Sequence, residues 1–356
     1  MSQPPDSSSP ADDQPGKNAA DSQPQPVRDV LPPVQPPTAG FLLQLFLIPL
    51  VIVSIIVLVW LMFSWLVHMG SDPKQIVRDL QTLDESSWQK AYTLSNMLRN
   101  PDHEELRDDA ELAGEIAAVL GEELESADAS EPRIRLRVFL AKALGEFRVL
   151  GGLPVLVRAA ETEREAEERH VRLAAIELIA VLAVNAGEER VRDEPGVMEA
   201  LLAAAREQSE VDQTPENAPP SAAEVRSTAA FALGVIGGEA ALDELATLLH
   251  DASPNTRYNA ATGLARHGDA RAIPTLIEML QPENDAALAD EVSDTQKSFK
   301  RGLVLTNGLN ATAELLRHSP QGDLAPLREA VEALSKAEVP NAVQLRATET
   351  LRNFPE

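Results

Sequence analysis

Catalysis and metal binding need particular side chains at particular spacings, and this 356-residue chain supplies few of them. It has no cysteine, which excludes disulfides, thiolate metal sites and cysteine nucleophiles. The histidines His68, His103, His170, His250, His267 and His318 are scattered, with no HExxH or H-x3-H spacing. No glycine-rich phosphate loop and no G-x-S-x-G elbow occurs. Glu161 to Glu168 is a mixed-charge run containing Arg164, and it reads as a solvated linker rather than a metal cluster. Asp108-Asp109 with Glu111, and Glu122-Glu123 with Glu125, lack the glycine and alternating spacing of a calcium loop. Trp88 and Tyr92 stand one turn apart and read as core residues. No catalytic, cofactor-binding or metal-binding residue is expected.

The elements behind these residues are repeats. Residues 225–249, VRSTAAFALGVIGGEAALDELATLL, return 31 positions later as TRYNAATGLARHGDARAIPTLIEML. Arg226 falls on Arg257, Ala229 on Ala260 and Leu233 on Leu264; Leu242, Leu245, Ala246 and Leu249 fall on Ile273, Leu276, Ile277 and Leu280. Spacings of 3, 1 and 3 place each set on one helical stripe. A unit of this size cannot bury its own apolar face and stacks on its neighbours. Two further copies open at Arg137 and Arg172, with second helices carrying Leu153, Leu156, Val157 and Ala160, then Met198, Leu201, Leu202 and Ala205. Gly237-Gly238 and Gly268-Asp269 suit the turns between helices, and Pro154 and Pro274 suit the first turn of a second helix. His267 aligns with Phe147, Leu182 and Ile236, as a satisfied, half-buried histidine would.

Weaker units flank these. Lys300–Leu316 with Leu324–Leu334 reads as one more hairpin, with its arginine displaced by a residue. Val343–Leu351 reads as a terminal cap. Residues 72–126 read as an atypical leading unit, with Trp88, Ala91, Tyr92, Ser95 and Leu98 on one face and Leu112, Ile116, Val119, Leu120 and Leu124 on another. Loops are expected at Glu207–Ala223 and around Asp285–Ser298.

Residues 131–356 resemble the HEAT-like repeat family, most closely over 222–281. The arginine early in the first helix, AL-G in its middle, and Gly268-Asp269-Ala270-Arg271-Ala272-Ile273-Pro274 carry the resemblance. It implies an all-α superhelical solenoid whose second helices line the concave side. It also implies binding or scaffolding more often than catalysis, although some members are lyases acting on tetrapyrroles and some bind nucleic acid.

The front of the chain differs. Residues 41–67 hold no charge, and a helix of that length, at ~1.5 Å per residue, exceeds the ~30 Å hydrocarbon core. Residues 41–68 therefore read as one transmembrane helix, with Phe41, Phe46, Trp60 and Trp65 towards its ends. Residues 1–40 contain ten prolines and no apolar run, the composition of a disordered tail. Of the net charge of −25, the tail carries −3 and residues 41–67 none, which leaves −22 beyond the span. Such an array disfavours nucleic acid and draws basic partners. The same charge also suits a solubilising acidic surface, usual on the outer faces of helical repeats.

The expected function is a membrane-anchored scaffold binding a protein or peptide. Alternatives are an accessory subunit of a membrane complex and a lyase-like enzyme. Candidate partner-binding positions form two rows beside the core stripe of the second helices: Arg158, Ala203, Thr247 and Glu278, then Ala159, Ala204, Leu248 and Met279. The second row reads either as packing between neighbouring second helices or as an apolar groove. Arg28 on one side of the span, against Lys74 and Arg78 on the other, favours a cytoplasmic solenoid by one residue.

Overall fold

The structure, a computed structural model, describes residues 38–68, 73–80, 84, 86–208, 220–289, 291–318 and 322–355. The proline-rich tail and most of the loop expected before Ala223 lie outside these residues. The chain forms two compact units, Met1–Gly70 and Ser71–Glu356.

The first unit presents helix α1, Ala39–His68, which runs through Pro49 without a break. Its stretch Ala39–Phe63 has a mean hydropathy of 3.1, and no part of that window is buried. A 25-residue stretch of this hydropathy meets the length and composition of a membrane span.

The second unit is all-α among the described residues, an α-solenoid of paired helices. First helices are α3 (Ser87–Arg99), α5 (Glu131–Gly145), α7 (Arg169–Ala186), α10 (Ala222–Ile236), α12 (Pro254–Arg266), α14 (Asp294–Arg317) and α16 (Asn341–Leu351). Each packs on the next to make one layer. Second helices α4 (Ala110–Glu125), α6 (Leu153–Glu161), α9 (Val197–Ala205), α11 (Glu239–Leu248), α13 (Ile273–Met279) and α15 (Ala325–Lys336) make the other. Short α2 (Pro73–Leu80) closes the front, burying Ile76, Val77 and Leu80 against α3 and α4. The five-residue α8 (Glu188–Arg192) fills the turn between α7 and α9.

Each pair of stripes meets in one continuous core. Leu144, Leu153, Leu156, Leu201, Leu233, Leu245, Leu264 and Leu276 are fully or almost fully buried within it. Each such side chain contributes about 1.5–3 kcal/mol relative to exposure. Gly237, Gly238 and Gly268 have positive φ, as the turns after α10 and α12 require. Pro154 and Pro274 sit in the first turn of α6 and α13. The glycine of the AL-G signature has a packing role. A Cβ on Gly234 would lie 2.6 Å from the Cα of Gly263, so α10 and α12 approach at bare backbone.

Four expectations change. Trp88 is only half-buried and Tyr92 is 47% exposed, because α3 turns Ala91, Leu94, Ser95 and Leu98 inwards instead. The loop before α10 stops at Ser221, whose side chain and Glu224 form a capping box that starts the helix at Ala222. The same device at Ser293 and Gln296 starts α14 at Asp294, inside the second expected loop. Glu168, placed by sequence in a solvated linker, is 3% exposed and engages two arginines.

Candidate functional site

The repeated arginine is the most ordered polar feature of the array. In each clear repeat it reaches back to backbone carbonyls at, or just beyond, the end of the preceding second helix. Arg137 donates to the carbonyls of Ser126 (3.2 Å) and Asp128 (2.8 Å), beyond α4. Arg172 donates to Ala160 O in α6 at 2.9 Å, and Arg226 to Glu207 O beyond α9 at 3.0 Å. Arg257 donates to Asp251 O and Ala252 O beyond α11, at 3.0 and 3.2 Å. The last carbonyls of a helix have no partner within it and carry its negative pole, which Arg172 satisfies at Ala160 O; the other three arginines tie down the turn that follows the helix instead.

A carboxylate completes each site, but from a different position. Asp251 accepts two hydrogen bonds from Arg226, at 2.7 and 3.1 Å. Arg257 pairs with Glu278 on its own second helix at 2.7 Å. Arg172 pairs with Glu163 at 2.7 Å and with Glu207. Arg137 is wholly buried and bonds Glu168 at 3.2 Å. Burial pushes the Asp251 carboxyl up, but the Arg226 hydrogen bonds and the Ser253 N–H outweigh it and hold it below the usual range. At Glu123, which faces Arg137 Nε at 3.8 Å, burial wins over Arg133 and Arg137 and the carboxyl is raised. His267 Nε2 lies 2.9 Å from Gly234 O, a half-buried and satisfied histidine.

The second-helix rows divide by burial. Arg158, Ala203 and Thr247 are exposed and Glu278 is half-buried. Arg158 donates to Gly121 O at 2.6 Å and pairs with Glu125 at 3.3 Å, across the α4–α6 interface. Arg206–Glu244 and Arg271–Asp243 join α9 to α11 and α13 to α11 in the same way. Glu278 is held by Arg257 and accepts from the Tyr258 hydroxyl at 2.9 Å; burial pushes that phenol up to about 12. Ala159, Ala204, Leu248 and Met279 are all buried, at 0, 0, 5 and 2% exposure. These four side chains serve packing, and no open apolar groove runs along them. What remains open on this layer is small and polar.

An open apolar cavity lies on the other layer. Trp88 of α3 with Ile134, Val138 and Phe139 of α5 line a cavity of about 470 Å³, rimmed by Glu131, Arg135, Glu167 and His170. Sequence periodicity missed it because Trp88 and Tyr92 passed for core. The signal available was the rarity of aromatics in residues 71–356, eight in all, of which Trp88 and Phe139 line the cavity and Tyr92 packs on Phe139.

No group of three or more His, Asp or Glu that could hold a metal occurs among the described residues. A family model described as HEAT repeats matches residues 219–292, the stretch where the two clearest copies stand. No curated protein matches the chain. Fold and match together support a HEAT-like repeat array, the class in which protein-interaction scaffolds are common.

Proposed function

We propose that this chain is a membrane-anchored scaffold, in which α1 crosses a bilayer and the repeat array binds a protein or peptide partner. The observation that carries the anchor is the 25-residue apolar stretch of α1, none of it covered by protein. The array supports the scaffold half. Its buried arginine–carboxylate pairs hold repeats together, and its open surfaces include a polar second-helix layer and an aromatic cavity. Exposed Arg158 and Thr247, with half-buried Glu278, remain candidates for polar contacts at the edge of a bound partner. The array lies on the cytoplasmic side by the balance of Lys74 and Arg78 against Arg28.

Protease digestion of sealed vesicles tests anchor and orientation together. In sealed vesicles that enclose the cytoplasmic face, the 71–356 array is expected to be protected from protease and to be digested once the vesicles are opened; digestion in the sealed vesicles would overturn the orientation. Release of the intact chain by alkaline carbonate would remove the anchor. Affinity capture from membranes with the intact chain, compared with residues 71–356 alone, tests for a protein partner.

A further inference from the structure

We infer that the cavity between α3, α5 and the start of α7 receives one large apolar side chain of a cationic partner peptide, with a Lys or Arg of that peptide paired to Glu167. The inference rests on the proposed protein-binding role and names its site and ligand chemistry.

The cavity is built from residue types the array otherwise uses sparingly. Trp88 is the one tryptophan outside residues 41–68. Its ring stacks with Phe139 at 6.2 Å, and Tyr92 meets Phe139 edge-on at 5.1 Å. Aromatic clusters of this kind anchor interfaces because they offer large area at low conformational-entropy cost. The rings are already braced. Arg135 lies 5.3 Å over Trp88 and Lys142 lies 5.3 Å over Phe139. Ile134 is buried beneath, while Val138 and Phe139 are only partly covered.

Charge selects the occupant. Arg135 is paired to Glu131 at 2.5 Å, so those two rim charges cancel. Glu167, in the short segment before α7, also lines the cavity, is exposed and has no ion pair among the described residues. An unpaired carboxylate beside an apolar hole suits a cation flanking an apolar anchor. The −22 of the array draws such a segment. The same charge opposes two rivals: a second copy of this chain brings another −22, and an anionic lipid surface is repelled.

The test uses the full chain in zwitterionic nanodiscs. The probe is an 18-residue amphipathic helix of Leu and Lys, labelled for fluorescence anisotropy; its partner probe has Glu in place of every Lys. The Lys probe is expected to bind and the Glu probe to fail. Val138→Glu, which puts charge into the cavity, is expected to weaken the Lys probe about tenfold or more. Glu167→Lys, an exposed change that spares the fold, is expected to weaken it about threefold to tenfold. Glu329→Gln, on exposed α15, is the control and is expected to leave binding unchanged. Equal losses at Glu329 and Glu167 would mean diffuse electrostatic attraction and would overturn the inference. So would tight binding that ignores both cavity variants, or binding to empty nanodiscs alone. Should a native partner be captured and hold equally well to Val138→Glu and Glu167→Lys, the scaffold reading survives and the cavity assignment falls.

Discussion

Asp251 shows how one residue ties two repeats together. It stands in the turn after α11, accepts both hydrogen bonds from Arg226 of its own repeat, and presents its backbone carbonyl to Arg257 of the next. The side chains are 16% and 9% exposed, so solvent screens the pair only weakly. A double-mutant cycle on Arg226→Gln and Asp251→Asn should give a coupling of about 1–3 kcal/mol, above the range of open surface pairs. The same cycle with Arg257→Gln should give less, since that guanidinium meets the backbone of Asp251 and the carboxylate of Glu278. The pH dependence follows from the lowered carboxyl. Its contribution is whole above the unfolded value of about 3.9 and is lost as pH falls through the depressed folded value. Asp251→Asn should therefore flatten part of the acid limb in urea melts taken from about pH 2 to 5. Leu248→Glu and Met279→Glu belong at this scale too. Both positions are buried, so each variant should lose several kcal/mol in the same melts. Retained stability would return them to the list of surface positions.

At the scale of the helix, glycine separates two effects that usually oppose. Alanine in place of a mid-helix glycine gains about 0.5–1 kcal/mol from backbone entropy. Gly114 in α4 has nothing within 4 Å of an added Cβ, so Gly114→Ala should show that gain. Gly234→Ala should not, because its Cβ would meet the Gly263 backbone, which cannot turn aside like a side chain. Overpacking of this kind costs about 1–3 kcal/mol, and the clash should win. Equal melting temperatures for Gly234→Ala and the parent would end the close-approach account. The hairpins themselves were legible from sequence, since the 3-1-3 stripe repeats and turn glycines mark the ends. Their polar stitching was not. The arginines recur at one position, but their acids come from Glu163, Glu168, Asp251 and Glu278, on different elements. Periodicity also cannot tell a core aromatic from one at the edge of the same face. Trp88 and Tyr92 therefore read as interior from sequence, while Ser87 and Ser95 take buried positions in the fold. The two candidate rows on the second helices were likewise equal in sequence, and only the neighbouring helices decide that one is covered.

For the whole molecule, the question is whether the array stands without its apolar helix. The residues 71–356 close their own core, from Leu80 in α2 to Phe354 after α16. At the last helix, α16 buries Val343 and Ala347 inwards and leaves Leu345 as its one large exposed apolar residue, beside polar Thr348 and Glu349. A face with a single exposed leucine gives little area for stacking on another copy. The charge of −22 adds repulsion between copies, at a range of about 8–10 Å in ordinary salt. The 71–356 fragment should therefore be soluble, predominantly helical and monomeric. Far-UV circular dichroism and light scattering check this, and scattering at about 1 M salt adds a second reading. Screening there removes most of the repulsion, so a monomer that persists owes its state to the small apolar area it exposes. Dimers that form only at high salt would instead show that charge alone had kept the copies apart, with the exposed Phe299 and Leu303 of α14 the first surface to examine by Phe299→Ser.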